Sequence, residues 1–395
     1  MKNILKALLL SCGIILILIV SGPKLPRESI SKDEEQFGEK RGIFISYIEL
    51  SKYLKNKSAV EGKENIDLII KNIKELGFNE VIVQVRSFSD AIYPSKIFPW
   101  SSVVSSAEGV EGSFDILKYF IEKAHKEEVG FIAWINPYRI RSQADISGIS
   151  SQSPAYAYLN SDVVYIGDGI YFNPSKEYTH NLVVSGVLEL VKNYKVDGVL
   201  FDDYFYPNNE IDIKDYEAYI ESNAYISKEQ YNLDVVSRLI KDVHDVCNKY
   251  GVLFGVSPDG NIENNYNKVF ADVKKWCSSN EYVDFIMPQI YYGFLNEARS
   301  FKKAIDEWES IVTDLDVGLQ IALAFYKVGE NDYYAKGGSK EWMENKDIIM
   351  REIIMSRNLK QYEGFSLFRY DYLYNEDLYN EMTLNEIENM KKVLN

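Results

Sequence analysis

The stretch Asp197-Gly198-Val199-Leu200-Phe201-Asp202-Asp203-Tyr204-Phe205-Tyr206-Pro207 governs how the rest of the chain is read. It starts as a short apolar run of strand character and ends in two adjacent carboxylates. Acids directly after an apolar strand are costly unless they face an open site or a partner. Strand side chains alternate in direction, so Asp202 and Asp203 are expected to diverge, one into the cavity at the strand end and the other onto a loop or backbone amides. Asp202 is in phase with Leu200 and Tyr204 and is the expected inward member. The plainer reading has both acids capping the next loop or pairing with Arg.

Working outward, the same unit of strand, loop and amphipathic helix recurs from residue 41 onward. The expected strands are 42–47, 80–85, 131–136, 198–204, 253–257, 285–291, 319–325 and 365–370. Between and after them, helical periodicity covers 65–76, 114–128, 177–194, 230–250, 267–279, 297–312, 344–358 and 376–394. Strict alternation implies parallel strands, and eight units suggest an α/β fold closed into a (β/α)8 TIM barrel, with an open doubly wound sheet as the alternative. Helix-to-strand connections are short and often contain Gly, as in Leu76-Gly77-Phe78, Val129-Gly130 and Tyr250-Gly251, whereas 86–113, 137–176, 205–229 and 326–344 are long strand-to-helix loops. Long loops confined to the strands' C-terminal side build one elaborate face, where barrel enzymes carry their chemistry.

Composition narrows the classes. The 395 residues hold 44 Lys+Arg against 59 Asp+Glu, a net charge of -15, and this excess of acid argues against nucleic acid as a partner. After Met1-Lys2-Asn3 the chain is mostly apolar to Val20, so residues 1–22 are expected to be a signal peptide or, if uncleaved, a membrane anchor, with lipidation at Cys12 a further alternative. Residues 23–40, with Pro23, Pro26 and Asp33-Glu34-Glu35, read as a polar linker, which leaves 41–395 for the barrel. The protein is therefore expected to be exported. Cys247 and Cys277 fall in predicted helices, and buried free thiols are expected ahead of a disulfide.

The strand ends supply the candidate site. Asp202 and Asp203 are the catalytic candidates, and Arg86, Trp100, Asn136, Tyr138, Arg139, Tyr204, Asp259, Gln289 and Tyr291 the substrate-binding ones. No His/Cys ligand spacing, GxGxxG loop or Walker sequence accompanies them, so neither a metal nor a cofactor is expected. His125, His180 and His244 fall in helix contexts and read as surface or cap residues. Carboxylates among aromatic rings and neutral hydrogen-bonders fit glycoside hydrolysis, in which one acid protonates the leaving oxygen and a second group acts as nucleophile or base. Sugar rings offer apolar C–H faces to Tyr and Trp and hydroxyl edges to Asn, Gln and Asp. The 30 tyrosines gain a use on this view, with Tyr93, Tyr138, Tyr204, Tyr206, Tyr291 and Tyr292 as sugar platforms. A non-catalytic glycan-binding barrel, or a glycosidase for another polysaccharide, is the alternative.

Several stretches carry a resemblance. Arg41-Gly42, Gln84-Val85-Arg86, Ala91-Ile92-Tyr93-Pro94-Ser95, Pro99-Trp100-Ser101, Ala133 to Arg139, Asp197 to Pro207 and Met287-Pro288-Gln289-Ile290-Tyr291 occur in that order. The ordered set resembles the glycosyl-hydrolase-like barrel family of exported bacterial proteins, formerly a domain of unknown function and linked to cell-wall glycan cleavage. That resemblance implies a TIM-barrel glycosidase acting on peptidoglycan strands, in some members preferring glycan stripped of its peptides. Asp259 departs from it, since such proteins tend to carry an apolar residue there; it is expected to be an Asx-type turn residue before Gly260 or an extra acid in the mouth. The 197–204 stretch also resembles, more distantly, the fourth-strand signature of chitinase-like barrels, whose terminal Glu is here Tyr204.

Overall fold

The computed structural model describes residues 38–223 and 225–394, and residues 39 onward form one compact unit. The stretches read as leader and most of the linker therefore lie outside the described residues. Barrel strands are β1 (Lys40–Ile45), β2 (Glu80–Arg86), β3 (Gly130–Ile135), β4 (Gly198–Phe201), β5 (Leu253–Val256), β6 (Phe285–Ile286, continued by Gln289–Ile290), β7 (Gly318–Leu323) and β8 (Tyr362–Leu367). The break in β6 falls at Met287-Pro288, because proline brings no N–H to the ladder. All neighbours pair parallel in chain order, and β8 returns to β1 with Lys40 opposite Gly364 and Ile43 opposite Leu367. The eight-stranded sheet is thus closed, with no free edge.

Period-two alternation divides the core in two. Phe44, Ile82, Ile132, Trp134, Leu200, Phe285, Met287 and Ala322 fill the barrel interior. Their sequence neighbours Ile43, Ile45, Val81, Val83, Phe131, Val199 and Phe201 face outward into the layer beneath the helices. That layer is covered by Ala59–Glu75, Ile116–Lys126, Glu177–Asn193, Lys228–Lys249, Phe301–Ile311, Ile348–Ser356 and Glu381–Leu394. Local sequence sets their starts: Ser58 and Glu61 exchange a full capping box at the first, and Ser227 and Ser300 cap two others through their hydroxyls.

Besides the broken β6, several elements differ from the sequence expectation. The helix predicted over 267–279 is two short ones, Ile262–Val269 and Val273–Trp276, capped by Asn261 and Asp272 and separated where Phe270 turns left-handed at φ +55°. The strand predicted to reach residue 204 stops at Phe201. The long loop after β3 folds its own antiparallel sheet, Arg139–Arg141, Ile170–Phe172 and Val164–Ile166, around Ile140, Ile149, Ala155 and Phe172. This small core, with Tyr178 and Leu182 of the helix Glu177–Asn193 packed against it, holds a loop of that length in place. At the start of the unit, Glu39 accepts from Arg357 and Tyr362 at 2.7 Å, so the barrel begins slightly before the predicted Arg41 boundary.

Candidate active site at the barrel mouth

Asp202 keeps the inward phase of Leu200 and lands at the C-terminal mouth of the barrel. Its Oδ2 accepts from the Trp134 indole N–H at 2.9 Å and from Asn136 Nδ2 at 3.2 Å, and its Oδ1 accepts from the Tyr204 backbone N–H at 3.3 Å. Ile132, Trp134 and Asn136 alternate along one face of β3 and its extension, which is why the latter two converge on the same carboxylate. Asn136 is itself oriented, its Oδ1 accepting from the Arg139 backbone N–H at 3.2 Å. The Arg139 guanidinium stacks over the Tyr204 ring at 4.6 Å and the Phe88 ring at 5.0 Å, close enough for its charge to act on Asp202. Burial pushes the Asp202 carboxyl up, while Arg139 and the three donors favour its ionised form.

Asp203 does not diverge onto a loop as alternation predicts. Its Oδ1 accepts from Gln289 Nε2 at 3.2 Å, and that amide also donates to the Ser257 carbonyl at 2.9 Å. The alternation rule needs an extended chain, and the ladder ends at Phe201. Beyond it, the Asp202 side chain takes the N–H two residues ahead, an Asx-type turn that swings Asp203 back toward the mouth. Burial and the neighbouring Asp202 charge push the Asp203 carboxyl up to about 7. Asp259 adds a third acid that acts on Asp203, and it also forms the expected turn, its Oδ1 accepting from Asn261 N–H at 2.7 Å and its Oδ2 from Asn264 Nδ2 at 3.2 Å. On the other side, the Tyr291 ring packs against Tyr326 at 5.8 Å and Phe368 at 5.9 Å, continuing the aromatic floor made by Phe44 and Trp134.

The structure brings together Asp202, Asp203, Asn136, Arg139, Tyr204, Asp259, Gln289 and Tyr291. Other sequence candidates lie elsewhere. Arg86 has the inward phase of Ile82 and Gln84, yet a bulge after Gln84 pairs it with Ile135 and turns it to the outer layer. There its guanidinium lies 3.8 Å from the centre of the Phe98 ring, beneath Gly186 of the helix Glu177–Asn193. Tyr138, Tyr93 and Tyr206 are buried and present no sugar-binding face. Trp100 folds onto Gly112 within its own loop, half-buried against the outer core. Trp134 and Phe368 belong to the site and are not among the sequence candidates. The signal for Trp134 is present, since it stands two residues before Asn136 on the same strand face.

The histidines serve the scaffold: His125 meets Asp197 at 2.8 Å, His180 meets Asp242 at 2.8 Å and His244 meets Asp284 at 3.5 Å. His180 and His244 are buried rather than on the surface, because their helix faces pack against neighbouring elements. Cys247 and Cys277 are buried, unbonded thiols. Among the described residues, no group of three His, Cys, Asp or Glu side chains could hold a metal, and no helix is long and apolar enough to cross a membrane.

A closed parallel barrel with two acids in an aromatic mouth can be compared with known proteins. Fold similarity extends to the glycoside hydrolase domain of PgaB (BpsB) from Bordetella bronchiseptica, with a TM-score of 0.59 at 14% identity over 90% of this chain and 99% of that one. It extends also to an endo-1,4-β-mannanase from Rhizomucor miehei, with a TM-score of 0.52 at 12% identity over 90% and 94% of the two chains. In sequence, glycosyl hydrolase YngK of Bacillus subtilis is 30% identical over 333 residues, which span 78% of this chain and 63% of that protein. Glycosyl hydrolase DigH of Escherichia coli K12 is 30% identical over 348 residues, 80% of this chain and 77% of that protein. Residues 39–344 match the family described as glycosyl hydrolase-like 10, and the chain belongs to that family.

Proposed function

We propose that this protein is an exported glycoside hydrolase that cleaves peptidoglycan-type glycan strands, with Asp203 as general acid and Asp202 as the carboxylate facing the developing oxocarbenium ion. The observation that carries this reading is the unequal setting of two adjacent acids in one mouth. Asp202 has three N–H donors and a nearby guanidinium, which suit a carboxylate. Asp203 has one amide donor and two acidic neighbours, which suit a carboxyl that still holds its proton near neutrality. Acid/base roles follow from such a split: Asp203 gives its proton to the glycosidic oxygen as the C–O bond breaks, Asp202 stabilises positive charge at the anomeric carbon or attacks it, and a water then adds to that carbon, displacing Asp202 where it has bonded and returning a proton to Asp203. Tyr204 and Tyr291 offer ring surfaces to the sugar, and Trp134, Arg139, Asn136 and Gln289 hold the two acids in place.

The peptidoglycan-type substrate and export rest on the family resemblance and on the apolar segment before residue 22. The test is incubation of the full chain with peptidoglycan, peptide-free strands and chitin-type oligomers, with products read by mass spectrometry. New fragments from peptide-bearing or peptide-free strands, lost in Asp202→Asn and Asp203→Asn, are expected. Unchanged release by both variants would remove the catalytic assignment, and saturable binding without any product would leave a binding barrel in its place.

A further inference from the structure

We propose that Tyr333 and Tyr334 form a distal sugar-binding platform, so that the protein grips a run of sugar units along a strand. The proposal rests on the glycan-directed reading above and adds a site outside the acid pair. The two residues are 84% and 87% exposed, the highest values for large apolar-bodied side chains among the described residues. They lie in the loop that follows β7, and hence on the same face of the barrel as Asp202 and Asp203.

That loop is braced. Asp332 caps the short turn Tyr333–Gly338, its Oδ1 accepting from the Tyr334 backbone N–H at 3.2 Å. Its Oδ2 accepts from Lys327 Nζ at 2.8 Å, and the same ammonium donates to the Tyr291 carbonyl at 2.8 Å. One cation thus ties the platform to the residue whose ring lines the mouth beside Asp203. A second tie joins the loops after β6 and β7: Glu341 accepts from the Phe294 and Leu295 N–H groups at 3.0 and 2.8 Å. Gly338 sits so close to this loop that a Cβ there would collide with the Leu295 carbonyl.

The braced backbone leaves only the two tyrosine side chains, each with few rotatable bonds, to be ordered at binding. Two consecutive, largely exposed tyrosines on the face of the acid pair offer a ligand apolar ring surface and hydroxyl tips. Their neighbours Glu330, Asn331 and Lys336 are polar, which suits a hydroxylated ligand lying across the rings. Continuity with the mouth through Tyr291 and Lys327 points to the same strand that enters the acid pair, extended by further units.

The test compares wild type, Y333A/Y334A and Y333F/Y334F on long peptide-free glycan strands and on short oligomers of the same sugars. The alanine pair is expected to lower the long-to-short ratio of kcat/KM about tenfold, mainly through KM, and the phenylalanine pair to keep it. An unchanged ratio in the alanine pair overturns the platform. Binding of long strands to D203N, with and without Y333A/Y334A, separates this from the catalytic reading. Weaker binding without the rings supports the platform even if the wild type cleaves nothing, and equal binding overturns it. Loss of self-association in place of strand binding would reassign the rings to a contact between copies and also overturn it.

Discussion

The barrel holds two kinds of buried acid pair, and they differ in what surrounds them. Asp202 and Asp203 stand at the mouth with four donors between them, from Trp134, Asn136, Tyr204 and Gln289. Glu352 and Glu386 stand between the helices Ile348–Ser356 and Glu381–Leu394, both with no exposed surface. Glu386 accepts from the Met350 N–H at 2.9 Å at the start of its neighbour helix, but neither oxygen of Glu352 has a hydrogen-bond partner among the described residues. Burial and the charges of Glu386 and Glu341 push Glu352 well up, against weaker help from Lys327 and Arg351. Burial pushes Glu386 up to about 7, with Asp347 adding to the effect. Both pairs are therefore raised, so a raised acid alone does not mark chemistry. Glu386 too has donors, the backbone N–H groups of Ile348, Ile349 and Met350, so what separates the pairs is the opening of the mouth to a ligand.

The same isosteric change at both places should break the two pairs in opposite ways. Asp203→Asn is expected to cut glycan cleavage by about 10²–10⁴, the usual contribution of a positioned acid, with the fold retained. Glu352→Gln is expected to leave cleavage within about twofold, because it touches nothing at the mouth. Turnover assays alongside thermal melts check both, and a large activity loss in Glu352→Gln would erase the distinction.

A smaller effect sharpens the mouth side. Removing the Asn136 amide leaves Asp202 with one fewer donor and frees the Arg139 turn, so Asn136→Ala is expected to lower kcat by about tenfold to a hundredfold. Its pH profile should also move, since the proposed mechanism has Asp203 working protonated and Asp202 ionised. Activity is then expected to fall as pH rises through the raised Asp203 value near 7 and to fall again in acid as Asp202 takes a proton. In Asn136→Ala the acid limb should shift upward, because Asp202 loses a donor to its ionised form.

The smallest expected effect is on stability. Glu352 and Glu386 have folded values above their unfolded ones, so the folded state holds protons that the unfolded state has released. Their contribution is fully present below the unfolded carboxyl range near 4.5 and is lost as pH rises through about 7. The melting temperature is therefore expected to decline from pH 5 to pH 8, and Glu352→Gln to flatten that decline and add about 1–3 kcal/mol at pH 8. A wild-type melting temperature that rises over this interval would contradict the account.

Much of the fold and part of the site are legible in the amino-acid sequence. Periods of two and of 3.6 announce the strands and helices, the one-sided loop lengths announce the functional face, and the phase of Leu200 places Asp202. Asp259 stands where an Asx turn is expected. The failures at Arg86 and at the tyrosines lie where a local pattern is overridden by packing against another part of the chain. Arg86 follows its strand's inward phase until the bulge opposite Ile135 reverses it. Tyr138 and Tyr206 stand near strand ends, yet both pack into the outer apolar layer. Asp203 lies two residues past the end of its ladder, where the Asx-type turn at Asp202 replaces the strand.

Sequence alone determined the repeating unit, the identity of the acids and the class of chemistry, because hydrophobic period and side-chain type are local properties. Only the tertiary structure decided that both acids share the mouth, that Trp134 and Gln289 hold them, and that Arg86 lies in the outer layer. Those outcomes depend on register between β2, β3, β4 and β6, and register is set by cross-strand packing that no single segment contains.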